Sequence, residues 1–306
     1  MRNSVKIIIG CVIVLAVFIT CRQRAKNFKK NDDTATSGTI QIVADESFAP
    51  ILDEEAYIFK AMYPETNVKL VYKTEKEAVK LYLDDSIRTI ILARQLTPDE
   101  QQIMEQRNLP PEKSRFAIDA IALIVNQQSA DTTISVNEIK AALNGKAMTD
   151  KEIVFDNPNS SLVRYLKDFS GNTELKQKNI YALKSNIEVI AYVAQHPNAV
   201  GIVGFSWLDD PDKDYADNVA KVKIVGVKDE NNNKTPNIYF KPSQESLALK
   251  QYPLSRGLYT LNSTGRAGLA SAFQVFLRGE RGQRIILKSG LLPDSIPPRE
   301  LNIINN

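Results

Sequence analysis

Apolar residues in this chain gather into short dense runs, and the stretches between them carry apolar residues at helical spacing. TIQIVA (39–44) is strand-like, and the segment after it places Phe48, Ile51, Leu52, Phe59 and Met62 on one helical face. NVKLVY (67–72) returns as a strand, a Glu- and Lys-rich helical stretch follows, and RTIILA (88–93) is a third strand. That rhythm predicts a parallel sheet with crossover helices. AIDAIALIVN (117–126) is too apolar for a sheet edge and is expected at a centre, while VGIVGF (200–205) and VAKVKIVGV (219–227) supply later strands.

Helix starts are marked by chemistry. Thr97 with Pro98 and Glu100 forms a capping box with proline in the first turn, and Ser135 with Glu138 and Ser185 with Glu188 repeat the box. Toward the C-terminus Leu269, Ala272, Phe273 and Phe276 share a helical face, and a second helix over residues 282–289 stops at Gly290, with Pro293 beyond.

With 306 residues, 43% apolar and 25% charged, the chain has room for two domains. Its net charge of +3 would suggest nucleic acid if the basic residues were spread evenly. Instead, residues 1–30 hold seven of the 39 Lys and Arg and none of the 36 acids, which leaves a body of 32 basic and 36 acidic residues, a net of −4. A mildly acidic body argues against a nucleic-acid partner.

The basic N-terminus reads as an export signal. Arg2 and Lys6 precede an apolar run over residues 7–20, shorter than the roughly 17 to 25 residues that span a bilayer. Cys11 and Cys21 are the only cysteines, and Cys21 stands where lipoproteins place the cysteine that is acylated. An uncleaved anchor and a released protein remain the alternatives. The expected division is a signal over residues 1–21, a polar tether over 22–37, lobe one over 38–124 with 226–306, and lobe two over 125–225. The expected location is the cell envelope, lipid-anchored and facing the periplasm.

In FDNPNSSLVRYLKD (155–168) a loop of Asn, Asp and Pro turns into a helix at Ser160 and Ser161. A helix N-terminus carries unpaired N–H groups and partial positive charge, so it can hold an oxyanion without a lysine. Ser160 and Ser161 add hydroxyls, and Arg164 lies in the first turn or so; the plainer alternatives are that Ser160 is only an N-cap and that Arg164 points to water. Arg94 follows a buried strand and precedes the Thr97 helix, so its fork suits two oxygens of a tetrahedral anion or a salt bridge at the lobe edge. Asp119 lies in an apolar strand, where a carboxylate needs a partner: it pairs with Arg94, or accepts the proton that hydrogen phosphate has and sulfate lacks.

Several segments together resemble the phosphate-binding proteins of ABC importers. IVADESFAPI (42–51), ARQLTPDE (93–100), AIDAIALIVN, ISVNEIKAALNGK (134–146), DNPNSSLVRYL (156–166), HPNAVGIVGFSWLDD (196–210), YPLSRGLY (252–259) and RGQRIILKSGLLP (281–293) occur in that family's order. The resemblance covers most of residues 38–300 and looks most like the family's lipoprotein branch. It implies a type II periplasmic-binding-protein fold: an α/β chain of two lobes, each a mainly parallel sheet flanked by helices, joined by two hinge strands near residues 124–126 and 223–225. It implies capture of phosphate or a related oxyanion between the lobes and delivery to an ABC permease, by a monomer with no cofactor, no metal and no catalysis.

Residue by residue, Ser47 corresponds to the family's first hydroxyl, and Arg94 to the Arg of its Ser-Arg-Pro-Leu pattern. The Gly-Ser-Gly-Thr loop becomes NSSL, with Leu162 replacing the Thr, Ser161 a Gly, and Asp156 falling near the preceding Arg. KTEKEA (73–78) replaces a Gly-Ser-Gly run, leaving Thr74 as a side-chain donor. Glu46, Glu75 and Glu77 then have to point outward, since a like charge about 4 Å from an anion costs about 4 kcal/mol at an effective dielectric of about 20. Those altered loops also fit a second reading, a sensor or assembly partner on the envelope that keeps the fold without transport. His196 is the only histidine and stands in a turn, Trp207 reads as packing and Arg256 as structural, and RGERGQR (278–284) lacks the ending of a phosphate loop.

Overall fold

The computed structural model describes residues 33–175 and 177–295. Cys21 and the apolar run lie outside them.

A dense apolar run becomes a strand only if neighbours cover both faces, and here they do. β1 (Gly38–Asp45) is fully buried over its last four residues and is followed by a 3-10 turn, Glu46–Phe48, and α1 (Ala49–Met62). β2 (Thr66–Lys73), α2 (Glu75–Leu83), β3 (Thr89–Leu92) and α3 (Pro98–Gln106) complete a strand–helix alternation in which β1 pairs in parallel with both β2 and β3. α1 turns Ile51, Leu52 and Phe59 inward. There Phe59 meets the edges of Phe273 and Phe276 at ring distances of 5.3 and 5.1 Å, which ties the start of the chain to its last helices.

β4 (Glu112–Asn126) is the central strand that its composition predicts. Its partners change along its length. Through Ala120 it pairs with β11 (Ser255–Asn262) and β12 (Leu292–Pro293); from Ile121 onward it pairs with β8 (Ala199–Gly204) and β9 (Val222–Ile224). One strand therefore serves two half-sheets. The second is completed by β6 (Glu152–Phe155), parallel to β8, and β7 (Ile180–Ala182), parallel to β6. A small separate pair joins β5 (Thr133–Ser135) to β10 (Gly226–Lys228).

The helices of the second half are α4 (Val136–Leu143), α5 (Ser161–Ser170), α6 (Asn186–Gln195), α7 (Ser206–Asp209) and α8 (Ala216–Val219). α9 (Gln244–Ala248), α10 (Leu269–Arg278) and α11 (Glu280–Lys288) follow. Capping boxes close at Thr97 with Glu100 and at Ser135 with Glu138. At Ser185 only half the box forms, because the Glu188 carboxylate accepts from the Lys184 N–H instead.

Two expectations need correction. The sheet is mixed rather than mainly parallel: β11 inserts between β3 and β4, antiparallel to both. The period-2 pattern of an apolar strand does not record its direction, so this insertion leaves no local trace. Residues 219–227 also do not form one strand; they end α8, form β9, and begin β10 after a break at Val225.

Candidate functional site

In parallel sheets, ligand sites form outside the carboxyl ends of the strands, where helix N-termini collect. Both half-sheets present such ends to one seam. Asp45 closes β1, Thr74 and Glu75 follow β2, Arg94 follows β3, and Asp156 follows β6 just ahead of α5.

The centre of the seam is the Asp45 carboxylate, 1% exposed. Oδ1 accepts the Ser47 N–H at 3.0 Å, capping the 3-10 turn. Oδ2 accepts the Glu75 N–H at 2.9 Å and the Ser161 N–H at 3.0 Å, the first residues of α2 and α5. Three helix N-termini, drawn from both halves of the molecule, thus converge on one carboxylate. Their N–H groups and partial positive charges are what stabilises an anion there.

Glu75 is the second bridge. Its Oε1 accepts from Arg94 Nε at 3.1 Å and from Arg164 Nε at 2.6 Å, and its side chain is almost wholly buried. The rest of the Arg94 fork is committed to Glu100, with Nη1 to Oε2 at 2.6 Å and Nη2 to Oε1 at 2.9 Å. Burial works against the Arg94 charge, but Glu100 and Glu75 hold its pKa above the usual value. Arg164 Nη1 turns to Asp168 at 2.7 Å.

Around this core the hydroxyls are spoken for. Ser47 Oγ donates to Asp156 Oδ2 at 3.2 Å, and Ser160 Oγ donates to Asp156 Oδ1 at 2.5 Å while accepting the Val163 N–H as the N-cap of α5. Burial, then the nearby Asp45 charge, pushes Asp156 up to about 8. Burial likewise pushes Glu46 to about 7, against a stabilising hydrogen bond from Asn186. Thr74 caps α2 and exchanges hydrogen bonds with Glu77 at the seam's edge.

Behind Ser161 lies a buried ion pair. Arg256 Nε donates to Asp119 Oδ2 at 2.9 Å, and Nη1 donates to Ser161 Oγ at 2.9 Å. The guanidinium lies over the Phe48 ring at 4.9 Å. Trp207 Nε1 donates to the Ser47 carbonyl at 3.2 Å, so its ring both packs and fixes the turn.

The structure therefore gathers Ser47, Thr74, Arg94, Ser160, Ser161 and Arg164 along one seam and sets Asp119 one residue behind it. Two sequence expectations are corrected. Glu75 points inward, because two guanidinium groups compensate its charge; Glu46 is half-buried on Asn186, and only Glu77 faces outward as a cap. Asp119 pairs with Arg256 rather than Arg94, whose fork is spent on Glu75 and Glu100. Arg256 belongs to the site's support. Asp45 drew no attention in the sequence because an Asp before a turn reads as an ordinary N-cap, which its Oδ1 also is. Among the described residues no group of three or more His, Cys, Asp and Glu is placed to hold a metal ion.

Two half-sheets sharing one long strand, with helix N-termini from both halves meeting on the Asp45 carboxylate, define a two-lobed α/β fold with a polar seam between its halves. The chain belongs to the PBP superfamily, whose domain model it matches over residues 30–280. It is similar to the phosphate-binding protein PstS of Pseudomonas aeruginosa, 21% identical over 287 residues that cover 85% of this chain and 84% of that one. Among solved structures, a phosphate-bound protein from Clostridium perfringens shares the fold with a TM-score of 0.70 at 19% identity, covering 84% of this chain and 100% of the other. An ABC-type phosphate transport receptor from Vibrio cholerae has a TM-score of 0.63 at 20% identity, covering 83% and 99%.

Proposed function

We propose that this chain is a solute-binding protein of the ABC-importer kind, built to hold inorganic phosphate or a related oxyanion between its lobes and to present it to a membrane permease. The observation that carries this reading is the convergence of the Glu75 and Ser161 N–H groups on one carboxylate oxygen, at 2.9 and 3.0 Å. An arrangement that stabilises a carboxylate oxygen across the seam stabilises a phosphate oxygen by the same physics. The names of the relatives support the choice of phosphate. The raised Asp156 pKa lowers the negative charge a phosphate would meet. Binding to the closed arrangement would shift an open-to-closed equilibrium. The basic, apolar N-terminus ending at Cys21 supports export and a lipid anchor.

A second reading is favoured by one specific observation: the seam is already satisfied by the chain's own carboxylates, Asp45 on the amides and Glu75 on both arginines. In that reading the protein keeps the clamp as a sensor or assembly partner on the envelope. Isothermal titration of the purified full-length chain with phosphate and with sulfate separates the two. The first reading predicts heat with phosphate; silence with both anions overturns it and leaves the second, for which pull-down from membranes should recover a signalling or structural protein instead of a permease.

A further inference from the structure

We infer that Asp45 is an internal ligand: its carboxylate occupies the oxyanion position of the cradle and holds the two halves together without any solute. The inference rests on reading the cradle as an oxyanion site, and it adds what fills that site.

A helix cap needs one carboxylate oxygen, and Oδ1 of Asp45 already serves the Ser47 N–H. Oδ2 has a separate task. It accepts from two further helix N-termini, and the Ser161 donor lies 116 positions away in the other half. The side chain is sealed from solvent, so an anion cannot reach these amides while Asp45 remains there. The two halves are joined around it by Arg164 on Glu75, Ser47 on Asp156 and the Lys76 N–H on the Asn159 carbonyl at 3.3 Å. Each of these contacts is made by side chains and backbone of this chain alone.

A tethered carboxylate competes with any free anion for the same three donors. The carboxylate also borders open space: it lines a crevice of about 270 Å³ whose wall holds Lys73 and Lys184 beside Glu46, Glu77 and Asp156. Apparent affinity for a free oxyanion is then the intrinsic affinity reduced by the fraction of molecules in which Asp45 has left the cradle.

The test is calorimetric titration of the full-length chain with sodium phosphate, comparing wild type with Asp45→Ala. Asp45→Asn, which keeps the size and loses the charge, takes its place if the alanine variant does not fold by circular dichroism. Removing the carboxylate is expected to tighten phosphate binding by at least about tenfold, the change produced when a mostly occupied cradle is emptied. Binding by the variant with a silent wild type supports the internal ligand and removes phosphate capture as the native activity. Equal binding by both overturns the internal ligand and leaves phosphate capture standing. Silence from both overturns the internal ligand as well.

Discussion

Arg256 and Asp119 form an ion pair in which both side chains are sealed from water, with Nε donating to Oδ2 at 2.9 Å and Nη2 lying 2.8 Å from the same oxygen. Burial raises the Asp119 pKa and the guanidinium opposes that rise. A buried pair is costly to break from one side, because the survivor is left charged and unpartnered. Asp119→Leu and Arg256→Met are each expected to lose about 3–5 kcal/mol in urea unfolding, while the double change of the same two substitutions loses less than either. Additive losses would contradict the pairing.

Glu55 yields a pH prediction. It sits on the buried face of α1, with neither carboxylate oxygen hydrogen-bonded among the described residues, and burial pushes its pKa to about 9. The folded state therefore holds a proton that the unfolded chain releases near the ordinary carboxylate pKa, so stability falls as pH rises from there through about 9. One such group contributes a slope of about 1.4 kcal/mol per pH unit. Wild type should lose stability between pH 5 and 8 in urea titrations, and Glu55→Gln should lose less. Asp156 and Glu46 act in the same direction, so the slope should shrink rather than vanish. An unchanged slope would mean that Glu55 is not buried as described.

Glu75 neutralises two guanidinium groups from opposite halves. Glu75→Gln should leave Arg94 and Arg164 facing each other across the seam. The expected loss is about 1.5–3 kcal/mol, the size of a hydrogen bond to a charged group, read by thermal unfolding. Small-angle scattering of the variant should show a larger radius of gyration; an unchanged radius would show that the seam does not depend on this bridge.

Ser160 is both the N-cap of α5 and a donor to Asp156. Ser160→Ala should cost about 0.5–2 kcal/mol for the cap, measured by urea unfolding. Ser160→Asp should restore part of that loss at pH 6 and less at pH 9, since Asp156, pushed up to about 8, ionises between the two and then repels the new carboxylate. Equal recovery at both values would argue against that contact.

Much of the fold was legible because it is written locally. The strand runs at 39–44, 67–72 and 88–93 and the caps at Thr97 and Ser135 depend on neighbours within four residues. Strand–helix junctions mark helix N-termini, so the seam's positions were legible too. Partners were not. Asp119 and Arg256 are 137 positions apart, and Asp45 and Ser161 are 116 apart, beyond any periodic pattern. The rule that acids should avoid an anion site turned Glu75 outward in the sequence reading; two arginines, each with other partners in sight, reverse that rule in the folded chain.

In the function proposed here the Ser47, Glu75 and Ser161 amides form one oxyanion cradle spanning both halves. Its most direct test is an X-ray structure of the Asp45→Ala variant crystallised in sodium phosphate. Tetrahedral density is expected within hydrogen-bond distance of those three nitrogens. A seam that closes over the missing side chain, or holds only water, would contradict it.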